Sequence, residues 1–190
     1  MFQSYEDAPD ALNGRNRVVL LRRAMEKADI DAYLVPRADE HQGEYVPECA
    51  ERLKWLTGFS GSAGTALVLA DAAHIFVDGR YTLQVRDQTD MNVFTPQSLV
   101  ETSVAKWIGK NLPQGTRLGF DPWLHTIAEA RALEDAVHKR GGALVPLMKN
   151  LVDTIWTNRP GPPVEPIRIH PLKYAGLGAR EKIDALSEAL

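Results

Sequence analysis

Asp78-Gly79-Arg80-Tyr81 is the short stretch of this chain best suited to meet a ligand. It closes an apolar run, His74–Asp78, so Gly79 lets the chain turn sharply off a strand and Arg80 then projects from the strand end. A fixed guanidinium there can pair with a carboxylate or a peptide carbonyl. The competing reading is an arginine spent on its own domain, on Asp78 or Asp87.

Other chemistry-bearing residues point mostly to structure. His41, His74, His125, His138 and His170 form no His-Glu-x-x-His, and there is no Cys-x-x-Cys. His41 and Glu44 sit three apart on a loop, whereas a catalytic zinc needs three fixed protein ligands, so no metal site is expected. Gly58-Phe59-Ser60-Gly61-Ser62-Ala63-Gly64 resembles neither a nucleophile elbow nor a phosphate cradle. Ser62 stands where the elbow needs glycine, a helix precedes and a strand follows, and no Walker lysine is present. It reads as a tight loop that feeds a central strand. Cys49 lies between Glu48 and Glu51, which would raise rather than lower a thiol pKa, so it reads as a small apolar filler. Asp39, Glu40, Glu44 and Glu48 read as a solvated loop rather than an acid–base pair. No catalytic residue is predicted in this chain.

The elements that must position these residues follow from periodicity and punctuation. Helices are predicted over Arg15–Lys27, from Pro47 to a stop at Gly58, over Tyr81–Asp87, over Val100–Asn111, from an N-cap at Thr126 to Arg140 with Gly141 as its stop, and over Arg180–Leu190. Strands are predicted over Ala32–Pro36, Thr65–Ala70, His74–Asp78, Asn92–Thr95, Arg117–Asp121 and Ala143–Pro146. Strands alternating with helices make an α/β layered domain. The short Asp71-Ala72-Ala73 turn makes at least one pair antiparallel, so the sheet is mixed. After Trp156 the composition changes. Asn158–Pro166 (NRPGPPVEP) is an extended linker, and Ile183, Leu186 and Leu190 then line one face of an amphipathic helix. That stripe needs a partner, so the native polypeptide is expected to continue past Leu190.

Composition narrows the function classes. The 190 residues are 44% hydrophobic and 25% charged, with a net charge of −3. No basic patch argues for nucleic acid, and the cluster Arg15, Arg17, Arg22, Arg23 and Lys27 reads as a solvated helix face. No run of 18 apolar residues spans a membrane, and the acidic N-terminus is not a secretory signal. One cysteine allows no internal disulfide and suits a reducing, cytoplasmic setting.

Several stretches, in order, carry a family resemblance. They are Ala32-Tyr33-Leu34-Val35-Pro36, Asp39-Glu40-His41-Gln42-Gly43-Glu44-Tyr45, Gly58 to Ala66, Asp78-Gly79-Arg80-Tyr81, Asn150-Leu151-Val152-Asp153-Thr154-Ile155-Trp156 with Arg159-Pro160, and Tyr174-Ala175-Gly176. Together they resemble the N-terminal domain of long, three-domain Xaa-Pro aminopeptidases (aminopeptidase P) of the creatinase/prolidase family. The resemblance implies a three-layer α/β/α sandwich with a mixed, mostly six-stranded sheet. It implies a flexible N-terminus (1–14), a creatinase-type N-terminal domain (15–157), a Pro-rich linker (158–175) and the first helix of a second domain (176–190).

The same resemblance implies a hydrolase that removes the N-terminal residue of peptides with proline second. Its two manganese ions belong to a later catalytic domain, so this piece alone is expected to be inactive. The first domain would shape the active-site entrance, contact the second and catalytic domains, and aid homodimerisation. Arg80 matches the family's arginine near the peptide cleft, and His41 is the second substrate-binding candidate. Gly178 stands where the family places a capping serine, so that helix is expected to start loosely. Three alternatives stay open: a stand-alone peptide- or protein-binding module of the same fold, the N-terminal part of a prolidase or creatinase, and a small hydrolase using Ser60 or Ser62.

Overall fold

The structure is a computed structural model, and it describes residues 11–190. In chain order the elements are α1 (Ala11–Lys27), β1 (Ala32–Pro36), a 3-10 turn (Glu48–Ala50), α2 (Arg52–Thr57), β2 (Gly64–Leu69), β3 (Ala73–Val77), a 3-10 turn (Gly79–Tyr81), α3 (Gln84–Gln88) and β4 (Thr95–Ser98). They continue with α4 (Val104–Asn111), β5 (Arg117–Phe120), a 3-10 turn (Pro122–Leu124), α5 (Ile127–His138), β6 (Ala143–Pro146), α6 (Leu151–Ile155), α7 (Leu172–Ala175) and α8 (Ala179–Ala189).

The strands form a six-stranded sheet in the order β4-β3-β2-β1-β5-β6. β2 runs antiparallel to β1 and β3, and the other neighbouring pairs are parallel. All strands except β2 therefore deliver their C-terminal ends to one end of the sheet. Alternation along β1 builds both faces. Tyr33 and Val35 pack with Val18, Leu21 and Met25 of α1, Leu53 and Leu56 of α2, and Val152 and Trp156. Ala32 and Leu34 pack with Ile108 of α4 and Leu133 and Val137 of α5. Burying each such aliphatic side chain contributes about 1.5–3 kcal/mol, which drives helices onto both faces. The fold is the mixed, three-layer α/β/α sandwich that the sequence implied.

Several boundaries differ from the sequence reading, each for a local reason. Residues 1–10 of the presumed flexible N-terminus lie outside the described residues, but residues 11–14 are helical. A Cβ on Gly14 would come within 3.5 Å of the Leu56 carbonyl oxygen, so this turn packs closely on α2. The helix opened by Pro47 is broken at Glu51 (ψ 50°) into a 3-10 turn and α2. The strand at 92–95 shifts to Thr95–Ser98, because the Val93 and Phe94 amides both bond the Asp90 carbonyl oxygen. β4 is an edge strand, where Pro96 is tolerated. The helix at 81–87 becomes a 3-10 turn capped by Asp78, followed by α3. The helix at 100–111 begins at Val104, capped by Ser103. α5 carries a full capping box, with Thr126 and Glu129 each bonding the other's backbone N–H. α6 and α7 are short helices beyond those the sequence predicts. At Gly178 the backbone N–H donates to Glu181 Oε2 at 2.7 Å, so the loose start is fastened from the N3 side.

Candidate functional site

The shared end of the sheet gathers the polar residues. The β1 loop carries Asp39 and His41, the loop before β2 carries Ser60 and Ser62, the end of β3 carries Asp78 and Arg80, and the ends of β5 and β6 carry Asp121 and Asn150. Ligands of open α/β sheets usually bind at this end.

Arg80 is exposed, and its guanidinium is held by Asp78. Nη2 donates to Oδ2 at 2.7 Å, and Nε donates to Oδ2 at 3.1 Å. The Asp78 carboxylate also accepts the Arg80 backbone N–H at 2.9 Å, so one residue caps the turn and orients the side chain. The hydrogen bonds from Arg80 hold Asp78 below the usual carboxylate range. The intradomain partner foreseen for Arg80 is thus Asp78, while Nη1 keeps no partner among the described residues. The guanidinium also lies over the Tyr81 ring, 5.1 Å from its centroid. The Tyr81 hydroxyl meets Ser62 Oγ at 2.6 Å, and its ring meets Phe59 edge-on at 5.5 Å.

His41 occupies a loop built by Asp39, whose Oδ1 accepts the His41 N–H at 3.0 Å and the Gly43 N–H at 3.1 Å. Asp39 is buried and structural, which corrects its assignment to a solvated carboxylate cluster. The His41 ring is 81% exposed, and its nearest ionic neighbour is Glu40 at 3.9 Å. β1 and β3 both flank β2, so the loops bearing His41 and Arg80 leave strands about 10 Å apart.

The glycine-rich loop is a packed connector. The Ser60 N–H donates to Gln88 Oε1 at 2.9 Å, and the Phe59 N–H to Thr57 Oγ1 at 3.0 Å. A Cβ on Gly61 would sit 2.2 Å from the Phe59 ring, so only glycine lets that ring fold under the loop. Ser60 bonds Gln84 and Gln88 and Ser62 bonds Tyr81, so neither serine has a histidine base to activate it. Cys49 is buried. Arg17 and Arg22 prove structural rather than merely solvated. Arg17 lies 4.7 Å over the Trp55 ring, and Arg22 donates to the Leu69 and Ala72 carbonyls of the β2–β3 turn. Among the described residues, no group of three or more His, Cys, Asp or Glu side chains could hold a metal ion.

One network escaped sequence reading. Arg52, buried on α2, donates to Asp153 of α6 from Nε at 2.7 Å and from Nη2 at 2.9 Å. Arg159 Nη1 donates to the same carboxylate at 2.7 Å, and its Nε donates to the Cys49 carbonyl at 2.6 Å. Trp55 stacks on Trp156 at 5.4 Å. Beneath them the Tyr33 hydroxyl accepts the Leu151 N–H at 3.2 Å, and burial pushes this phenol well above its ordinary range. The network pins the chain just before residues 160–171, which form neither helix nor strand. The available signal was Asp153 three residues past the N-cap Asn150, although its partner Arg52 lies 101 residues away.

Sandwich topology, the β1 and β3 loops and the pinned exit together define a protein class. The chain belongs to the creatinase/prolidase N-terminal domain family, whose model matches residues 17–155. It is 40% identical over 184 residues to a probable Xaa-Pro aminopeptidase P of Aspergillus flavus, across 95% of this chain and 28% of that protein. The chain spans 28–30% of the length of such relatives, the probable enzyme of Aspergillus niger among them. In structure it is similar to the X-prolyl aminopeptidase of Caenorhabditis elegans, a cytosolic enzyme with a di-nuclear active site. The TM-score is 0.81 at 30% identity, over 93% of this chain and 31% of that one. It is also similar to the N-terminal domain of the cytoplasmic peptidase PepQ of Mycobacterium tuberculosis, with a TM-score of 0.55 at 25% identity, over 74% of this chain and 98% of that one.

Proposed function

We propose that this chain is the non-catalytic N-terminal domain of a metal-dependent Xaa-Pro aminopeptidase that removes the first residue of peptides with proline second. The observation that carries this reading is 40% identity to a probable Xaa-Pro aminopeptidase P, spread over 95% of the chain. The described residues offer no metal cluster, so this reading assigns two manganese ions to a later catalytic domain. The domain's work is then geometric: it borders the entrance of the catalytic cleft, packs on the second and catalytic domains, and takes part in a homodimer. The similarity to a cytosolic enzyme supports a cytosolic location.

Arg80 is the substrate-contact residue of this proposal. Asp78 fixes two of its nitrogens, which leaves Nη1 to meet a peptide carbonyl or carboxylate. His41, on the neighbouring loop, is the second contact. The test is Arg80→Ala in the complete polypeptide, assayed on an Xaa-Pro peptide. The proposal expects kcat/KM to fall about tenfold or more. An unchanged kcat/KM removes Arg80 from the site, and a complete polypeptide without Xaa-Pro activity removes the function.

A further inference from the structure

A pocket of about 420 Å³ opens between the first turns of α4 and α5. The two helices meet further along, where a Cβ on Gly109 would lie 3.8 Å from that of Ala136. Leu34 and Pro36, at the carboxyl end of β1, line the pocket together with Leu124 and His125, just past β5. β1 and β5 are adjacent and parallel, and the chain leaves them toward opposite faces of the sheet. α2, which follows β1, packs with Tyr33 and Val35, whereas α5, which follows β5, packs with Ala32 and Leu34. A crevice outside the carboxyl ends of two such strands is where open α/β sheets take their ligands.

The lining fixes the class of ligand. Most of it is apolar, with Leu99 and Val104 joining Leu34, Leu124 and Leu133. Its charged groups are one cation, Arg37, and one carboxylate, Glu129. Glu129 is engaged at the start of α5, where Oε2 accepts the Thr126 N–H at 2.8 Å and the Thr126 hydroxyl at 3.0 Å. Arg37 Nη2 donates to the Glu44 carbonyl at 2.9 Å, while Nε and Nη1 hold no hydrogen bond among the described residues. Arg37 is only half-buried, so a ligand can reach those donors. The His125 wall is preformed. A backbone carbonyl only accepts, so Nδ1 donates to the Asp121 carbonyl at 2.9 Å, and the ring stands edge-on to Phe120 at 5.5 Å. An apolar pocket of this size with a convergent polar group is the usual form of a small-molecule site.

We propose that this pocket binds an uncharged, mainly apolar molecule that carries a carbonyl acceptor. The acceptor takes the open donors of Arg37, and the apolar body fills the space between α4 and α5. A charged ligand would leave water for a lining whose one cation and one carboxylate offset each other, so its desolvation meets no matching gain. The site is independent of the peptidase reading, because binding is measured on the 190-residue chain itself.

The probe is benzamide, compared with benzoate and benzamidine, followed by the backbone amide NMR signals of Ala38, Thr65 and Ala105, which line the pocket. Benzamide should saturate with a Kd on the order of 1 mM. Benzoate and benzamidine should each bind about tenfold more weakly. Arg37→Met, which keeps an apolar stem and removes the donors, should weaken benzamide binding about tenfold with Tm near wild type. Ala105→Leu and Ala132→Phe fill the pocket from α4 and from α5 separately, and whichever of them folds should no longer bind. Tighter binding of benzoate or benzamidine, unchanged affinity in Arg37→Met, or binding retained in a folded, filled variant would each overturn the proposal. So would signal changes away from the pocket, or no saturable binding.

Discussion

Arg52 and Asp153, 101 residues apart in sequence, are joined by two parallel hydrogen bonds of 2.7 and 2.9 Å. The pair ties α2 to α6, and Arg159 adds the exit segment to the same carboxylate. The Arg52 side chain is nearly all out of water, so removing its counter-charge strands a buried cation. Asp153→Ala should therefore cost about 3–5 kcal/mol of unfolding free energy in urea titration, whereas the double variant Arg52→Met/Asp153→Leu should cost markedly less. Equal losses would show that the packing of these side chains, not their charge, holds the exit.

The Asp78–Arg80 fork gives a different expectation. Both groups face solvent, and the pair aims a side chain rather than supporting the core. Arg80→Lys should keep Tm near wild type yet fail to restore the kcat/KM of the complete polypeptide, because an ammonium cannot hold two carboxylate oxygens and present a further donor in one plane. Full rescue by lysine would reduce Arg80 to a point charge.

Gly142 and Gly115 separate contact from conformation. A Cβ on Gly142 would sit 2.2 Å from the Thr116 carbonyl oxygen, whereas Gly115 has nothing within 4 Å but a φ of +75°. Gly115→Ala should cost about 1 kcal/mol through backbone strain, and Gly142→Ala about 2–3 kcal/mol because β5 and β6 must separate. Chemical denaturation of both variants checks the order, and the reverse order would contradict the packing at the start of β6.

Burial lowers the pKa of His74, whose ring lies 4.5 Å from Trp107. The unfolded chain then takes up this proton at a higher pH than the folded one. The contribution of His74 to stability is fully present above about pH 6.5 and is lost as the pH falls through the lower, folded value. Comparing urea midpoints at pH 7.5 and 5.5, His74→Phe should lose less stability on acidification than wild type. An equal loss would mean that His74 is solvated.

Local chemistry made most of the fold legible. Ala32–Pro36 and Ala143–Pro146 read directly as strands, because short apolar runs ending in proline leave little choice. Thr126 with Glu129 marked the start of α5, and Gly58 and Gly141 adopt the positive φ expected of helix stops. Errors arose where a side chain competes with the backbone. Ser103 delays α4, Asp78 replaces the first turn of a helix, and the Asp90 side chain accepts the Asn92 N–H in the turn that displaces β4. Arg80 was visible because its turn is local. The Arg52–Asp153–Arg159 cluster was not, because its members meet only after the sheet has formed and no spacing in the sequence encodes that meeting.

The most direct test of the account is hydrolysis of an Xaa-Pro peptide in the presence of Mn²⁺, measured in parallel on the complete gene product and on the 190-residue chain. The account predicts release of the N-terminal residue by the complete product and none by the chain alone, since the chain spans only 28% of the length of the relative it matches and the proposal assigns the metals to a later domain. Turnover by the 190-residue chain, or none by the complete product, would contradict it.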